Sequence, residues 1–361
     1  MKWFKNIAAI LLILIGTTII VACTMYNKQI SAVDKDSKEK ITVVIENGMT
    51  SKRIGKVLKN NGLIRNDDFF VLYLKLYKIN DLKSSTYELS KSMDLKEIIN
   101  VLQKGNSFNP DEITITFKEG IHIRKVASII ESNTNNSADR VFDVLKDEKY
   151  IDSLIEKYWF LTDEIKNKDL YYPLEGYLFP DTYNFKNKDV SVEEIFTVML
   201  NKMNVEISKY KDVIDKSDFT VHEMISLATV IEKEVGDKED YRQKVASVFY
   251  NRLDKKMSLG SDVTTYYAFK VDLSERELYS KEFNTYNPYN TRGPNMEGKL
   301  PVGPICAVGV SSLSASINPL ETDYLFFVAD KYGVTYFTKT NAEHVAKVNE
   351  LKKNGDWFEY E

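Results

Sequence analysis

Cysteine is nearly missing from this chain: Cys23 and Cys306 are the only two in 361 residues. Cys23 lies inside an apolar N-terminal run, so a disulfide framework is excluded. Histidine is just as scarce, and His122, His222 and His344 are too scattered for the ligand spacing of a protein-built zinc site. Neither common glycine-rich phosphate loop is present. Glycine and proline are sparse (15 and 8) while 43% of residues are hydrophobic, which favours a sizeable core over low-complexity linkers. Neither charge dominates, with 49 Lys+Arg against 53 Asp+Glu, and no basic stretch is interleaved with aromatics. Nucleic acid is therefore not an expected partner. Any chemistry must rest on carboxylates, hydroxyls and amides, with no metal and no cofactor expected.

What is present begins at the N-terminus. Ile7 to Met25 carries no charge, long enough to cross a hydrocarbon core as a helix. Lys2 and Lys5 precede it, which favours a cytoplasmic N-terminus and an exported body. Two rival readings are a cleaved signal peptide and a lipid anchor, since Ile20-Val21-Ala22-Cys23 loosely resembles a lipobox. All three place the body outside the cytoplasm, as in a bacterial envelope protein. The expected division is 1–6 cytoplasmic, 7–25 membrane-spanning, 26–39 a linker, 40–108 a small αβ module and 109–361 a larger domain. A chain of this length suits two or three domains.

Within the body, a strand–glycine–helix pattern recurs. Ile41 to Gly48 alternates like a strand, and Ser51 to Asn60 has Ile54, Val57 and Leu58 at helical spacing. Ile113 to Gly120 and Ile123 to Glu131 repeat it, with a weaker copy at Thr86–Leu89 and Leu95–Leu102. Gly48 and Gly120 supply turns that need positive φ. Ala138–Phe160 and Ser191–Tyr210 read as helices, and the aromatic segment Tyr171–Tyr183 between them reads as a loop. Ser280–Gly309, dense in Asn, Pro, Gly and Tyr, reads as a long ordered loop of the kind where functional groups collect. Tyr324–Val328 and Val334–Phe337 form a hairpin around Lys331–Gly333, and His344–Lys353 is a closing helix. The fold class is α+β.

Chemistry concentrates between Met224 and Ala268. Met224, Leu227, Ala228, Ile231 and Val235 form one apolar stripe at about 100° per residue. Glu232 and Glu234 fall on opposite shoulders of it, so the wheel alone cannot choose between them. Either could be desolvated, which raises a carboxyl towards the range of a general acid. Each could equally be a solvated residue or a partner for Lys233 or Arg242. Asn251 and Arg252, on the next helix, read as ties to a loop, and Cys306 as a small buried hydrophobe.

An ordered set of motifs breaks the tie: EGYLFPDTY (175–183), ATVIEKE (228–234), VASVFYNRL (245–253), SDVTTYYA (261–268), NPYNT (287–291), LPVGPIC (300–306), YLFFVAD (324–330) and NAEH (341–344). The series resembles the YceG-like endolytic murein transglycosylases over roughly residues 40–350. The resemblance implies an N-terminal membrane helix, a LysM-like module at 40–108 and a mixed catalytic domain at 109–361. It implies a lyase acting on glycan strands of peptidoglycan, with peptidoglycan synthases as partners and Glu232 as catalytic acid/base. The implied reaction breaks the β-1,4 bond after N-acetylmuramic acid without water, leaves a 1,6-anhydro end and terminates nascent strands.

Ser261, Asp262 and Thr264 match the family's SDPT loop and are expected to bond acetamido groups or sugar hydroxyls; helix capping by Ser261 or Asp262 is the rival reading. Tyr289, Asn290 and Thr291 match its YNT motif, where Asn290 suits an acetamido group or a turn. Glu175 is expected either to line the glycan groove or to anchor its own loop. The sequence departs from the family pattern at Gly260, Val263, Arg292, the residues before Gly309, and Thr335. Those departures admit an alternative function, a catalytically weakened glycan-binding scaffold of a cell-wall synthesis complex.

Overall fold

The computed structural model describes residues 2–46, 49–105, 111–235, 239–272 and 274–357. They fall into two compact units, Met1–Glu112 and Ile113–Glu361. Gly48, expected at a turn, lies outside the described residues.

The first unit begins with helix α1 (Lys2–Ile30). Among the described residues no helix is long and apolar enough to cross a membrane. The expected span at 7–25 lies on α1, but the side chains of residues 1–13 and 15 fall outside those described. After α1, strands β1 (Ile41–Ile45) and β2 (Ser85–Leu89) pair antiparallel, Ile41 opposite Leu89. Alternation turns Val43, Ile45, Tyr87 and Leu89 onto helices α2 (Ser51–Asn60), α3 (Asp67–Leu76) and α4 (Leu95–Lys104). Local chemistry sets each helix start. Thr50 and Asn66 accept the Arg53 and Phe69 amides, and Asp94 with Glu97 closes a capping box.

The second unit opens with β3 (Ile113–Thr116), which pairs antiparallel with β4 (Thr182–Phe185), Ile113 opposite Phe185. The expected 171–183 loop thus gives its last two residues to a strand. Gly120, at φ +74, makes the expected turn before α5 (Ile123–Asn133). The helix expected over 138–160 is two: α6 (Ala138–Lys146) and α7 (Glu148–Lys157). Asp147 breaks it, because its carboxylate accepts the Lys149 and Tyr150 amides at 3.0 and 3.2 Å and so caps a new helix. Next come α8 (Val192–Ile207), the short α9 (Lys211–Ile214), α10 (Val221–Val235), α11 (Glu239–Asp254) and α12 (Asp262–Ala268). The 280–309 segment is mostly irregular, opening with the single turn α13 (Ser280–Phe283). After it lie α14 (Val310–Ile317), the hairpin β5 (Phe326–Ala329) and β6 (Thr335–Thr338), and α15 (Asn341–Asn354).

Helix α10 organises this unit. The expected single apolar stripe is instead a helix buried on every side except at Glu223 and its last three residues. Met224, Ile225 and Ala228 join the core built by α5–α8, while Leu227, Val230 and Ile231 join a second core with Val245, Phe249, Tyr289 and Cys306. Its buried hydroxyls are satisfied: Ser226 donates to the His222 carbonyl (2.7 Å), and Thr229 donates to the Ser226 carbonyl and accepts from the Ile305 amide (3.0 Å). A helix held this firmly delivers its last turn, Glu232 to Glu234, to a fixed position.

Candidate active site

The two glutamates face different surroundings. Glu232 is only 6% exposed, and its neighbour Arg242, on α11, is 3% exposed. The guanidinium lies 3.4 Å from Oε1 of Glu232, and the Gly309 amide donates to Oε2 at 3.1 Å. Gly309 is the residue preceding α14, so the positive end of that helix also points at the carboxylate. A side chain at Gly309 would run into the Glu119 carboxylate, which explains glycine there. Glu232 thus takes Arg242 as its partner, one of the alternatives the wheel left open, and its surroundings present a guanidinium and a peptide N–H.

Glu234 sits on the other shoulder. Its Oε1 accepts a hydrogen bond from Ser261 Oγ at 2.5 Å. Burial pushes its carboxyl above the usual range and Asp262 adds to the rise, against Ser261, Arg252 and Arg292. Glu234 lines a groove of about 1110 Å³ together with Arg252, Ser261, Asp262, Arg292, Phe326 and His344. Glu232 does not line it.

Seven residues were expected to meet substrate, and the structure divides them. Ser261 and Asp262 line the groove, and Asp262 is ion-paired with Arg292. The other five are buried in hydrogen-bond networks that lock the site's loops. Thr264 Oγ1 donates to the Ser261 carbonyl (2.7 Å) and meets the Thr291 hydroxyl (2.8 Å), which in turn accepts the Ser261 amide (3.1 Å). Asn290 accepts from the Thr265 hydroxyl (2.7 Å) and donates to the Glu282 and Thr285 carbonyls (3.0 and 2.8 Å), pinning the 282–291 loop. The Tyr289 hydroxyl accepts the Tyr171 amide at 3.1 Å. Glu175 anchors its loop by accepting the Ile123 amide at the start of α5 (3.0 Å) and the Tyr267 hydroxyl (2.9 Å). Burial outweighs those bonds and pushes its carboxyl up to about 7.

Asn251 and Arg252 are loop ties. Asn251 donates to the Thr322 and Tyr324 carbonyls (2.7 and 3.0 Å), and Arg252 to the Leu325 and Leu259 carbonyls (both 2.6 Å). Sequence reasoning missed the groove roles of Arg252, Arg292 and Phe326 and the contact of Gly309 with Glu232. One signal was available: Gly260, Val263 and Arg292, three of the departures from the family pattern, all line this groove. Gly260 sits at φ +64 beside the Arg252 guanidinium, where a larger residue would be strained and crowded. Among the described residues, no cluster of His, Cys, Asp or Glu could hold a metal ion.

Residues 43–350 match the YceG-like family. The chain belongs to that family. This YceG-like chain is 38% identical over 322 residues to a Bacillus subtilis protein named endolytic murein transglycosylase, covering 89% of this chain and 87% of that one. It is 32% identical over 332 residues to a Streptococcus pneumoniae protein of the same name, covering 88% of this chain but 59% of that longer one. Among solved structures, it resembles a putative YceG-like protein from Listeria monocytogenes with a TM-score of 0.60 and 36% identity. That match covers 86% of this chain and all of the other.

Proposed function

We propose that this protein is an endolytic murein transglycosylase, a lyase that cuts glycan strands of peptidoglycan. The observation that carries the reading is a carboxylate-lined groove, built where the family's motifs converge. At about 1110 Å³, it stands at the upper end of the roughly 300–1,000 Å³ range of ligand sites.

Glu232 is the acid/base in this mechanism. Its protonated carboxyl donates to the oxygen leaving C1 of N-acetylmuramic acid. The C6 hydroxyl of the same sugar attacks C1, and its proton returns to the carboxylate. One C–O bond breaks and one forms, the proton count is unchanged, and the new end is a 1,6-anhydro sugar. A single carboxyl serves both transfers because the nucleophile belongs to the substrate, whereas hydrolases use two. Arg242 and the Gly309 amide pair with the carboxylate at rest as they do between the transfers, so the acid step begins with a proton taken up as the strand binds and released as the product leaves. Ser261 and Asp262 contact sugar polar groups, and Glu175, Thr264, Tyr289, Asn290 and Thr291 serve binding by fixing the walls.

The β1-α2-α3-β2-α4 unit acts as a LysM-like glycan anchor, and the N-terminal helix tethers the protein to the cell membrane with its body outside. Cutting nascent strands there terminates them, in the company of peptidoglycan synthases.

A second assignment has its own observation: Glu234, not Glu232, faces the groove, with its carboxyl raised by burial. Purified uncrosslinked strands digested with the protein and analysed by mass spectrometry test the reaction. Anhydro ends, lacking one water relative to reducing ends, are expected. Reducing ends would make the protein a hydrolase, and intact strands would favour the scaffold. Glu232→Gln should lower turnover by about 10²–10⁴-fold, the typical contribution of a general acid/base. If Glu234→Gln does so instead, the roles are exchanged.

A further inference from the structure

The NAEH motif at 341–344 has no part in the reaction above, yet two of its side chains reach the groove. Asn341 and His344 lie three residues apart on one face of α15, and both line the same groove as Glu234 and Ser261. Trp357, just beyond that helix, joins them there. The His344 ring stacks on Phe326 of β5, centroids 5.3 Å apart at 26°. The Arg252 guanidinium stands over Phe326, 5.2 Å from the ring centre. Arg252 also donates to the Leu259 carbonyl, two residues before Ser261, so one side chain ties the Phe326 ring to the loop that carries Ser261.

We propose that Asn341, His344 and Trp357, backed by Phe326, form a saccharide subsite that binds the glycan strand away from the cleaved bond and confers preference for long strands. The proposal rests on the transglycosylase reading and extends it to residues outside the reaction. Two features point to a sugar ligand. The wall combines flat rings with polar tips, which suits a sugar's C–H face and its hydroxyl and acetamido groups. In addition, the Asn341 side chain is exposed at the groove and carries both donor and acceptor groups for acetamido and hydroxyl partners. Burial and the nearby Arg252 both lower the His344 pKa, so the ring is neutral at pH 7 and offers one donor and one acceptor nitrogen.

The test measures kcat and KM of the full chain on long uncrosslinked strands and on a tetrasaccharide fragment. His344→Phe keeps the stack on Phe326 and removes both nitrogens. Asn341→Ala, at an exposed position, leaves the fold undisturbed. Each should raise KM on long strands by about tenfold, the effect of roughly one lost hydrogen bond, with kcat and tetrasaccharide cleavage unchanged. Unchanged KM on long strands in both variants overturns the subsite. If the wild type cleaves neither substrate, the enzymatic reading has failed independently, and co-sedimentation with long strands then decides. Weaker retention of both variants supports the subsite, and equal retention overturns it.

Discussion

Removing Arg242 should show how strongly the Glu232 carboxylate depends on it. Both side chains are almost excluded from water, at 4% and 5% exposure, so solvent screening does little to weaken their interaction. Truncating one member of a buried ion pair costs about 3–5 kcal/mol, because the other charge stays buried without it. The 3.4 Å separation is long for a charge-assisted contact, and the Gly309 amide continues to serve Oε2. The low end, about 3 kcal/mol, is therefore expected for Arg242→Met. At about 2–4 °C per kcal/mol, the unit from 113 to 361 should lose roughly 6–12 °C in its unfolding midpoint. Urea unfolding of the wild type, Arg242→Met, Glu232→Gln and the double variant isolates the pair from whatever else Arg242 touches. The double variant should be more stable than the sum of the single losses by about 1–3 kcal/mol. Strict additivity would mean that the two charges do not support each other and would refute the geometry derived for Glu232.

Three further outcomes follow from buried groups and backbone. Glu175 has its carboxyl raised from 4.5 to about 7; the folded state thus holds a proton that the unfolded state releases. Its contribution is fully present below pH 4.5 and is lost as pH rises to about 7. The loss is about 3 kcal/mol over that range, and urea titrations at pH 5 and pH 8 should show Glu175→Gln gaining relative to the wild type by that order. Asp147→Ala removes the acceptor for two amides at the start of α7 and should cost about 1 kcal/mol in the same assay. Gly176→Ala combines φ +80 with a clash against the ring carbons of Pro304, so it should cost at least about 2 kcal/mol by strain and overpacking.

Local signals were legible where the physics is local. The alternation of Ile41–Ile45, the helical spacing of Ile54, Val57 and Leu58, and the positive-φ turn at Gly120 need no partner to be recognised. Helix α3 went unread because Phe69–Leu74 is apolar with no clear period, and only Asn66 marks its start. The break at Asp147 was hidden because apolar spacing continues across it, while the deciding event is one carboxylate turning back onto two amides. The motif series carried the family, since family membership is written in residue order.

What the sequence determined alone was the set of chemical groups: carboxylates, hydroxyls and amides in motifs, a scarcity of thiols and imidazoles, and helices and strands where the apolar period is clear. Direction belonged to the tertiary structure. Glu232 and Glu234 stand two positions apart on one helix, and no wheel distinguishes them. Only packing against α11, α14 and the 261 loop turns one to a guanidinium and the other to a groove. Thr264, Asn290 and Thr291 look like ligands in the motif, but their hydrogen bonds are satisfied within the protein: the Thr264 hydroxyl by the Ser261 carbonyl and the Thr291 hydroxyl, and the Asn290 amide by the Thr265 hydroxyl and the Glu282 carbonyl. Burial is a property of neighbours in space, and it decides which polar side chains hold the walls and which face the strand.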